Sequence, residues 1–308
     1  MALTPRLAIL LTLPPLLWAG NAVVGRAMVG QVPPLTLNLL RWLITGALLA
    51  PLALRQLRWI DLRERWRHLA LLGLLGVGLY NALQYAALVT STPINVTLVA
   101  SSMPVWMLAV GMAVYGERPT RAQLVGAAMG LAGVVLVIAR GSWQTLLAVR
   151  PVPGDLLILL AVIGWAFYSW LLARPPASMQ GAQRPAWDWA ALLFVQALFG
   201  GAAAMLFALG EQALGAAPIR WSGAVVSALL YVSLGASLVA YRCWGVGVAE
   251  GGPALAAFFS NLTPLFAAVL SALLLGEGPQ PYHAAAFALI VGGIAISARR
   301  PAARVGAA

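Results

Sequence analysis

The sequence has no lysine, one cysteine, two histidines and only 8 acidic residues among 308. The single Cys243 excludes an intrachain disulfide and any cysteine-based metal cluster. Charge of either sign is scarce: Asp, Glu and Arg together make up 9% of the chain, against about a quarter in soluble domains. With 62% hydrophobic residues and a mean hydropathy of +0.89, the chain cannot cover itself with a water-facing surface. That excludes a soluble enzyme, a secreted disulfide scaffold and a disordered chain. All 19 basic residues are arginine, and the formal net charge is +11. A balance this basic suits nucleic acid in a soluble protein. Here the arginines sit mostly in short connections between apolar runs and form no aromatic-interleaved patch, so the expected partner is a lipid bilayer and not nucleic acid.

What the sequence does have is apolar runs of roughly 20 residues, the length that spans a bilayer core as helix. The expected fold is an all-α integral membrane protein with ten transmembrane helices. They lie near 7–25, 35–54, 69–89, 94–115, 122–139, 155–173, 189–209, 223–241, 253–275 and 282–298. Turn chemistry marks the breaks, as at Val32-Pro33-Pro34, Thr92-Pro93, Gly116-Glu117-Arg118-Pro119, Gly251-Gly252-Pro253 and Gly276 to Pro281. The first run lacks an Ala-x-Ala cleavage site and leads straight into further apolar runs, so it is read as a span and not as a signal peptide. With the N-terminus inside, 14 arginines fall in inner segments and 4 in or beside outer ones, while Arg41 lies within a span. This bias places both termini in the cytoplasm.

The two halves resemble each other. Ser101-Ser102-Met103-Pro104 leads to Gly116-Glu117-Arg118-Pro119, Gly133 and Arg140, and Asn261-Leu262-Thr263-Pro264 leads to Gly276-Glu277-Gly278-Pro279, Gly293 and Arg300. Each pair is offset by 160 residues, as are Pro93 and Pro253. Residues 1–150 and 151–308 therefore read as two five-helix repeats. An odd number of spans makes the second enter from the opposite face, giving an inverted-topology repeat with a central site near the midplane.

The repeated proline, the Gly-Glu-x-Pro turn that follows it and the glycine-rich helix beyond resemble the drug/metabolite transporter superfamily, in particular its ten-helix EamA-type exporters. Trp18-Ala19-Gly20-Asn21 and Leu40-Arg41-Trp42 fit that family too. Within it, the chain is similar to bacterial exporters of amino acids. The resemblance implies export of a small-molecule substrate across the bacterial inner membrane and no bound cofactor.

Polar groups inside spans are costly and need a reason. The candidates for substrate binding are Trp18 and Asn21 in the first span, Tyr80, Asn81, Gln84 and Tyr85 in the third, and Ser101 and Trp106 in the fourth. The second half adds Trp165, Tyr168, Tyr241, Asn261 and Thr263. Asn81, Gln84 and Tyr85 share one helix face. Amides and hydroxyls would meet an ammonium or carboxylate, and aromatic rings would add apolar and cation–π contact. The structural alternatives are helix–helix hydrogen bonds for hydroxyls and interfacial anchoring for Trp42, Trp59, Trp66, Trp143, Trp187, Trp189 and Trp221.

Pro104 and Pro264 each remove a backbone donor inside a span. The carbonyls they free would face a cavity or be absorbed by packing. Glu117 and Glu277 end the fourth and ninth spans at opposite faces, where they would pair with arginine, cap the next helix or gate. Arg41 would snorkel to the outer interface or hold a substrate carboxylate.

No Asp, Glu or His stands at a clear mid-span position, so no titratable group marks a proton path. No Ser–His pair, aspartate pair or His-Glu-x-x-His motif supports an intramembrane enzyme. The expected function is an exporter of amino acids or similar metabolites working by alternating access. The alternatives are an exporter of drugs or other amphipathic compounds and, in another class, a non-transporting scaffold or sensor.

Overall fold

Proline opens most of the helices in a computed structural model of the chain, which describes residues 3–91, 93–139, 141–148, 150–275 and 280–298. A proline in the first turn loses nothing, because its missing N–H would have no intrahelical partner there. The helices are α1 (Pro5–Ala27), α2 (Pro34–Ala53), α3 (Trp59–Thr90), α4 (Pro93–Ala100 and Met103–Tyr115), α5 (Arg121–Ile138), α6 (Pro153–Ala173), α7 (Trp189–Ala213), α8 (Gly223–Gly251), α9 (Pro253–Ser260 and Thr263–Leu275) and α10 (Pro281–Ser297). Among the described residues, eight helices are long and apolar enough to cross a membrane, and the apolar stretches Pro253–Ala267 and Pro281–Ser297 are shorter.

The helices outrun the apolar runs that announce them. The connection expected at 55–68 is helical from Trp59, because the first turns of α3 are amphipathic: Arg65 pairs with Asp61 at 3.3 Å and Glu64 at 3.1 Å. Likewise α8 continues to Gly251, ten residues past the expected end. Gly252, with φ of 82°, then lets the chain reverse into α9 at once. Glu277, Arg140, Arg299, Arg300 and Arg304 lie outside the described residues.

Several features recur 160 residues apart. A π-helical turn widens α3 at Gly73–Leu79 and α8 at Leu234–Val239. Both α4 and α9 break into two segments, at Ser101-Ser102 and at Asn261-Leu262. Pro104 and Pro264 do not kink continuous helices. They sit at the start of the second segments, and the breaks are bridged by short bonds such as Ser102 N to Val99 O at 3.0 Å and Leu262 N to Phe259 O at 3.0 Å.

Glycine sets the closest helix contacts. A Cβ on Gly126 would lie 2.6 Å from Gly293 O, and one on Gly133 would lie 2.9 Å from Ala286 O. As residue numbers rise along α5, those facing them on α10 fall, so the two helices run antiparallel. Small residues at such a seam admit close backbone approach, the main source of helix association in lipid. A Cβ on Gly73 would lie 2.7 Å from Gly200 N, so α3 and α7 also touch backbone to backbone.

Candidate functional site

A cavity of about 730 Å³, counting its mouth, lies where both halves meet. From the first half it is lined by Trp18, Asn21 and Ala22 of α1, Tyr80, Asn81 and Gln84 of α3, and Val96, Thr97, Ala100, Ser101 and Met103 around the α4 break. From the second half come Trp165 of α6, Tyr241 of α8, and Ser260, Thr263 and Pro264 around the α9 break. The wall is apolar and aromatic with a few amides and hydroxyls, and no lining residue carries a formal charge.

Nine of the residues expected to bind substrate therefore gather here: Trp18, Asn21, Tyr80, Asn81, Gln84, Ser101, Trp165, Tyr241 and Thr263. Four do not line the cavity. Tyr85 turns to the neighbouring polar cluster and donates to Asn21 Oδ1 at 2.8 Å. Trp106 is half-buried against the apolar core. Tyr168 stands beside the cavity wall, its ring 4.8 Å from Trp165 and its hydroxyl donating to Gln196 Oε1 at 2.9 Å. Asn261 is buried with its side-chain amide over Gly130 of α5, where only a glycine leaves room for it.

At one end the cavity floor is an aromatic cluster. Trp18 meets Trp165 edge-on at 5.3 Å between centroids, Tyr80 lies 5.0 Å from Trp165, and Tyr241 lies 5.4 Å from it. Trp244, not anticipated from the sequence, completes the cluster 5.4 Å from Trp18 and 5.5 Å from Trp165. It is fully buried and donates to Ser169 Oγ at 3.2 Å. Its position three residues after Tyr241 on the same helix face was the available signal. Trp165 Nε1 and Ser260 Oγ are buried without a hydrogen-bond partner among the described residues. Both belong to the lining, where a ligand could satisfy them.

Arg41 does not snorkel. It is wholly buried, bonded to Asn81 Oδ1 at 2.8 Å, Tyr85 OH at 3.2 Å, Asn21 Oδ1 at 3.3 Å and Ala236 O at 2.9 Å, and also to Ser237 Oγ. The Ala236 carbonyl is available because the π turn of α8 departs from regular helical pairing, and Trp18 Nε1 shares it at 3.1 Å. Trp42 is likewise no interfacial anchor. It is 1% exposed, with the Arg41 guanidinium 5.5 Å from its ring and Tyr241 at 4.9 Å. Trp187 is buried too, whereas Trp59, Trp66, Trp143 and Trp221 are exposed as anchors should be.

The profile of the EamA-like transporter family matches residues 6–139 and again residues 152–299. The chain belongs to the EamA-like transporter family. It is a multi-pass membrane transporter and not an enzyme, and its partners are a small-molecule substrate and the bilayer. Among EamA-like relatives it is 28% identical to the aromatic amino acid exporter YddG of Ancylobacter novellus, over 92% of this chain and 93% of that one. It is 27% identical to an uncharacterized transporter of Archaeoglobus fulgidus, over 93% and 95%. It is also 28% identical to the uncharacterized inner membrane transporter YedA of Escherichia coli, over 85% and 80%. A solved crystal structure superposes with a TM-score of 0.73 at 26% identity, covering 95% of this chain and 96% of the other.

Two ion pairs of this EamA-like chain join residues from different halves. Arg6, in the first turn of α1, meets Glu250 at the end of α8 at 3.0 Å. Arg174, just after α6, pairs with Glu117, just after α4. Both pairs are substantially exposed, so each adds little to stability.

Proposed function

We propose that this protein exports amino acids, aromatic or other neutral ones among them, or similar small metabolites by alternating access. The observation that carries this reading is the cavity between the halves, walled by aromatic rings and amides and free of formal charge. Aromatic faces suit an apolar side chain and attract an ammonium group, while amides and hydroxyls suit the polar end of an amino acid. The similarity to the exporter YddG supports the same substrate class.

The scaffold in this proposal is ten spans in two inverted five-helix repeats, residues 1–150 and 151–308. The antiparallel packing of α5 on α10 supports it. Gly126 faces Gly293 while Gly133 faces Ala286, and each residue is the repeat partner of the residue opposite its counterpart. Such reciprocity is the mark of a two-fold axis. Arginine bias places both termini in the cytoplasm of the bacterial inner membrane. The two cross-half ion pairs would then both lie at the cytoplasmic end and close that side, in keeping with a gating role for Glu117. Pro104 and Pro264, at the starts of second segments, would let α4 and α9 bend at their breaks. With no titratable carboxylate or histidine in the lining, transport in this proposal is either uncoupled or coupled by a route outside the lining.

Counterflow of radiolabelled phenylalanine by purified protein in liposomes tests the reading. Trp18→Ala should lower that flux more than tenfold at normal membrane abundance. Cationic dyes outcompeting every amino acid would move the assignment to drug export. A fixed proton-to-substrate stoichiometry would overturn uncoupled transport.

A further inference from the structure

Arg41 is the only buried cation bonded to the cavity wall among the described residues, and every partner it has is neutral. No described carboxylate pairs with it, and the chain's acidic residues fall near helix ends or in connections. A charge held inside a membrane protein without a counter-charge is expensive and marks a functional site by default. Its surroundings show what it does.

A guanidinium offers five N–H donors and no acceptor. It therefore turns the amide oxygens of Asn21 and Asn81 toward itself, and their nitrogens point away. Asn21 Nδ2 reaches Gln84 Oε1 at 3.4 Å, which occupies that oxygen, and the Gln84 amide nitrogen has no partner among the described residues. Asn81 Nδ2 lies 3.4 Å from the Tyr241 hydroxyl, which itself donates to Gly76 O. Asn21, Asn81, Gln84 and Tyr241 all line the cavity. The wall thus presents N–H groups backed by a full positive charge one side chain behind it. Trp165 Nε1, a donor with no acceptor capacity, is unpartnered in the same wall. What this surface lacks is an anionic acceptor.

We infer that Arg41 makes the cavity a receptor for a carboxylate and bars organic cations that lack one. The carboxylate binds the amide N–H groups without touching Arg41, whose charge stabilises it through Asn21 and Asn81. An amino acid's ammonium is then held on the aromatic faces of Trp18 and Tyr80. Arg41 acts as a positioning and specificity-determining residue, which deepens the exporter reading by naming the group that the cavity selects.

The test compares three probes sharing one ring: phenylalanine, 3-phenylpropionate and phenethylamine. Binding to purified protein is measured by thermal shift, and flux in liposomes, for the wild type, Arg41→Lys, Arg41→Gln and Asn81→Asp. The wild type should prefer both carboxylates to phenethylamine by at least tenfold in binding. Arg41→Lys should keep most of that preference, and Arg41→Gln should erase it. Asn81→Asp guards against misfolding of the arginine variants, because it sets a carboxylate against the guanidinium and preserves shape. It should abolish carboxylate binding, admit phenethylamine and raise the melting temperature.

A folded Arg41→Gln that keeps the wild-type preference for carboxylates overturns the inference, and so does an Asn81→Asp that binds carboxylates as well as the wild type does. Equal wild-type binding of phenethylamine and phenylalanine overturns it as well, and leaves export standing. Arg41-dependent binding of carboxylates without any flux upholds the inference and refutes the exporter reading.

Discussion

The π turns of α3 and α8 occupy matching places in the two halves, yet they are used differently. In each, the carbonyl at the matching position takes a side-chain donor from the other half: Gly76 O accepts from Tyr241, and Ala236 O accepts from Trp18 and Arg41. In each, the surrounding helices come from the opposite half, α6 and α7 around the first turn and α1 and α2 around the second. The first turn is built on Gly73, Gly76 and Gly78, and the neighbouring polar groups, Gln196 and Tyr168, are neutral. The second turn carries Ser237 and holds a buried guanidinium. Matching backbone devices thus carry tight packing in one half and a fixed charge in the other. In this chain the two matching turns share their backbone device and differ in the charge packed against it.

The largest expected break in this comparison is steric. Gly73→Ala sets a methyl group 2.7 Å from the Gly200 backbone nitrogen, whereas Gly235→Ala in the second turn meets nothing nearer than Leu17 at 3.5 Å. Overpacking of this kind costs about 1–3 kcal/mol, so Gly73→Ala should lose much of its monodisperse protein on gel filtration. Gly235→Ala should stay within about 0.5 kcal/mol of the parent. Equal losses would show that the two turns pack alike.

Next is the neutral neighbour of the first turn. Gln196→Leu strands the buried Tyr168 hydroxyl, at about 1–2 kcal/mol. It should lower the melting temperature while leaving the charge selectivity of binding untouched. A change in selectivity would mean that both π turns bear on the substrate.

Helix capping separates the halves on a smaller scale. The helix α7 is capped by its own Asp188, which accepts from Ala191 N at 2.9 Å. The corresponding α2 has no side-chain cap of its own and borrows Glu211 from α7, which accepts from Leu35 N at 2.9 Å and Thr36 N at 2.8 Å. Asp188→Ala and Glu211→Ala should each cost about 1 kcal/mol by thermal unfolding. The Ala191 N–H holds the Asp188 carboxyl below its ordinary range, with Gln56 and Ala190 N–H groups and Arg242 adding to the effect against a burial penalty. The ionised cap therefore stabilises fully above about pH 4 and is lost as the pH falls through its depressed pKa. In Asp188→Ala this acid-dependent component should vanish.

Smallest is the cross-half pair. Glu117→Gln should change stability by less than about 1 kcal/mol, and high salt should mimic it in the parent protein. A large loss would mean that the pair is better shielded from solvent than its exposure implies.

Much of this was legible in the sequence because hydropathy and turn residues act locally. The apolar runs, the prolines at helix starts and the spacing of the repeated motif all anticipated elements that the structure contains. Nine of the thirteen residues expected to touch substrate line one cavity, since amides and aromatics inside spans have few other places to go. The misses share one cause. Position along the span predicts an interfacial anchor at Trp42 and snorkelling as one of two readings for Arg41, yet α2 is covered there by α8 and α3, so neither reaches the interface. Asn261 was judged by its polarity, but the break in α9 turns it toward Gly130.

Composition alone settled that this chain lives in lipid, for 62% hydrophobic residues leave no other solvent for its surface. Its repeated motif by itself identified two related halves, because a gap-free offset of 160 residues needs no coordinates to be seen. Only the tertiary structure decided which amides face the cavity and which face Arg41. A hydrogen-bonding direction depends on what stands opposite, and Asn21, Asn81 and Ser237 come from three helices and both halves of the chain.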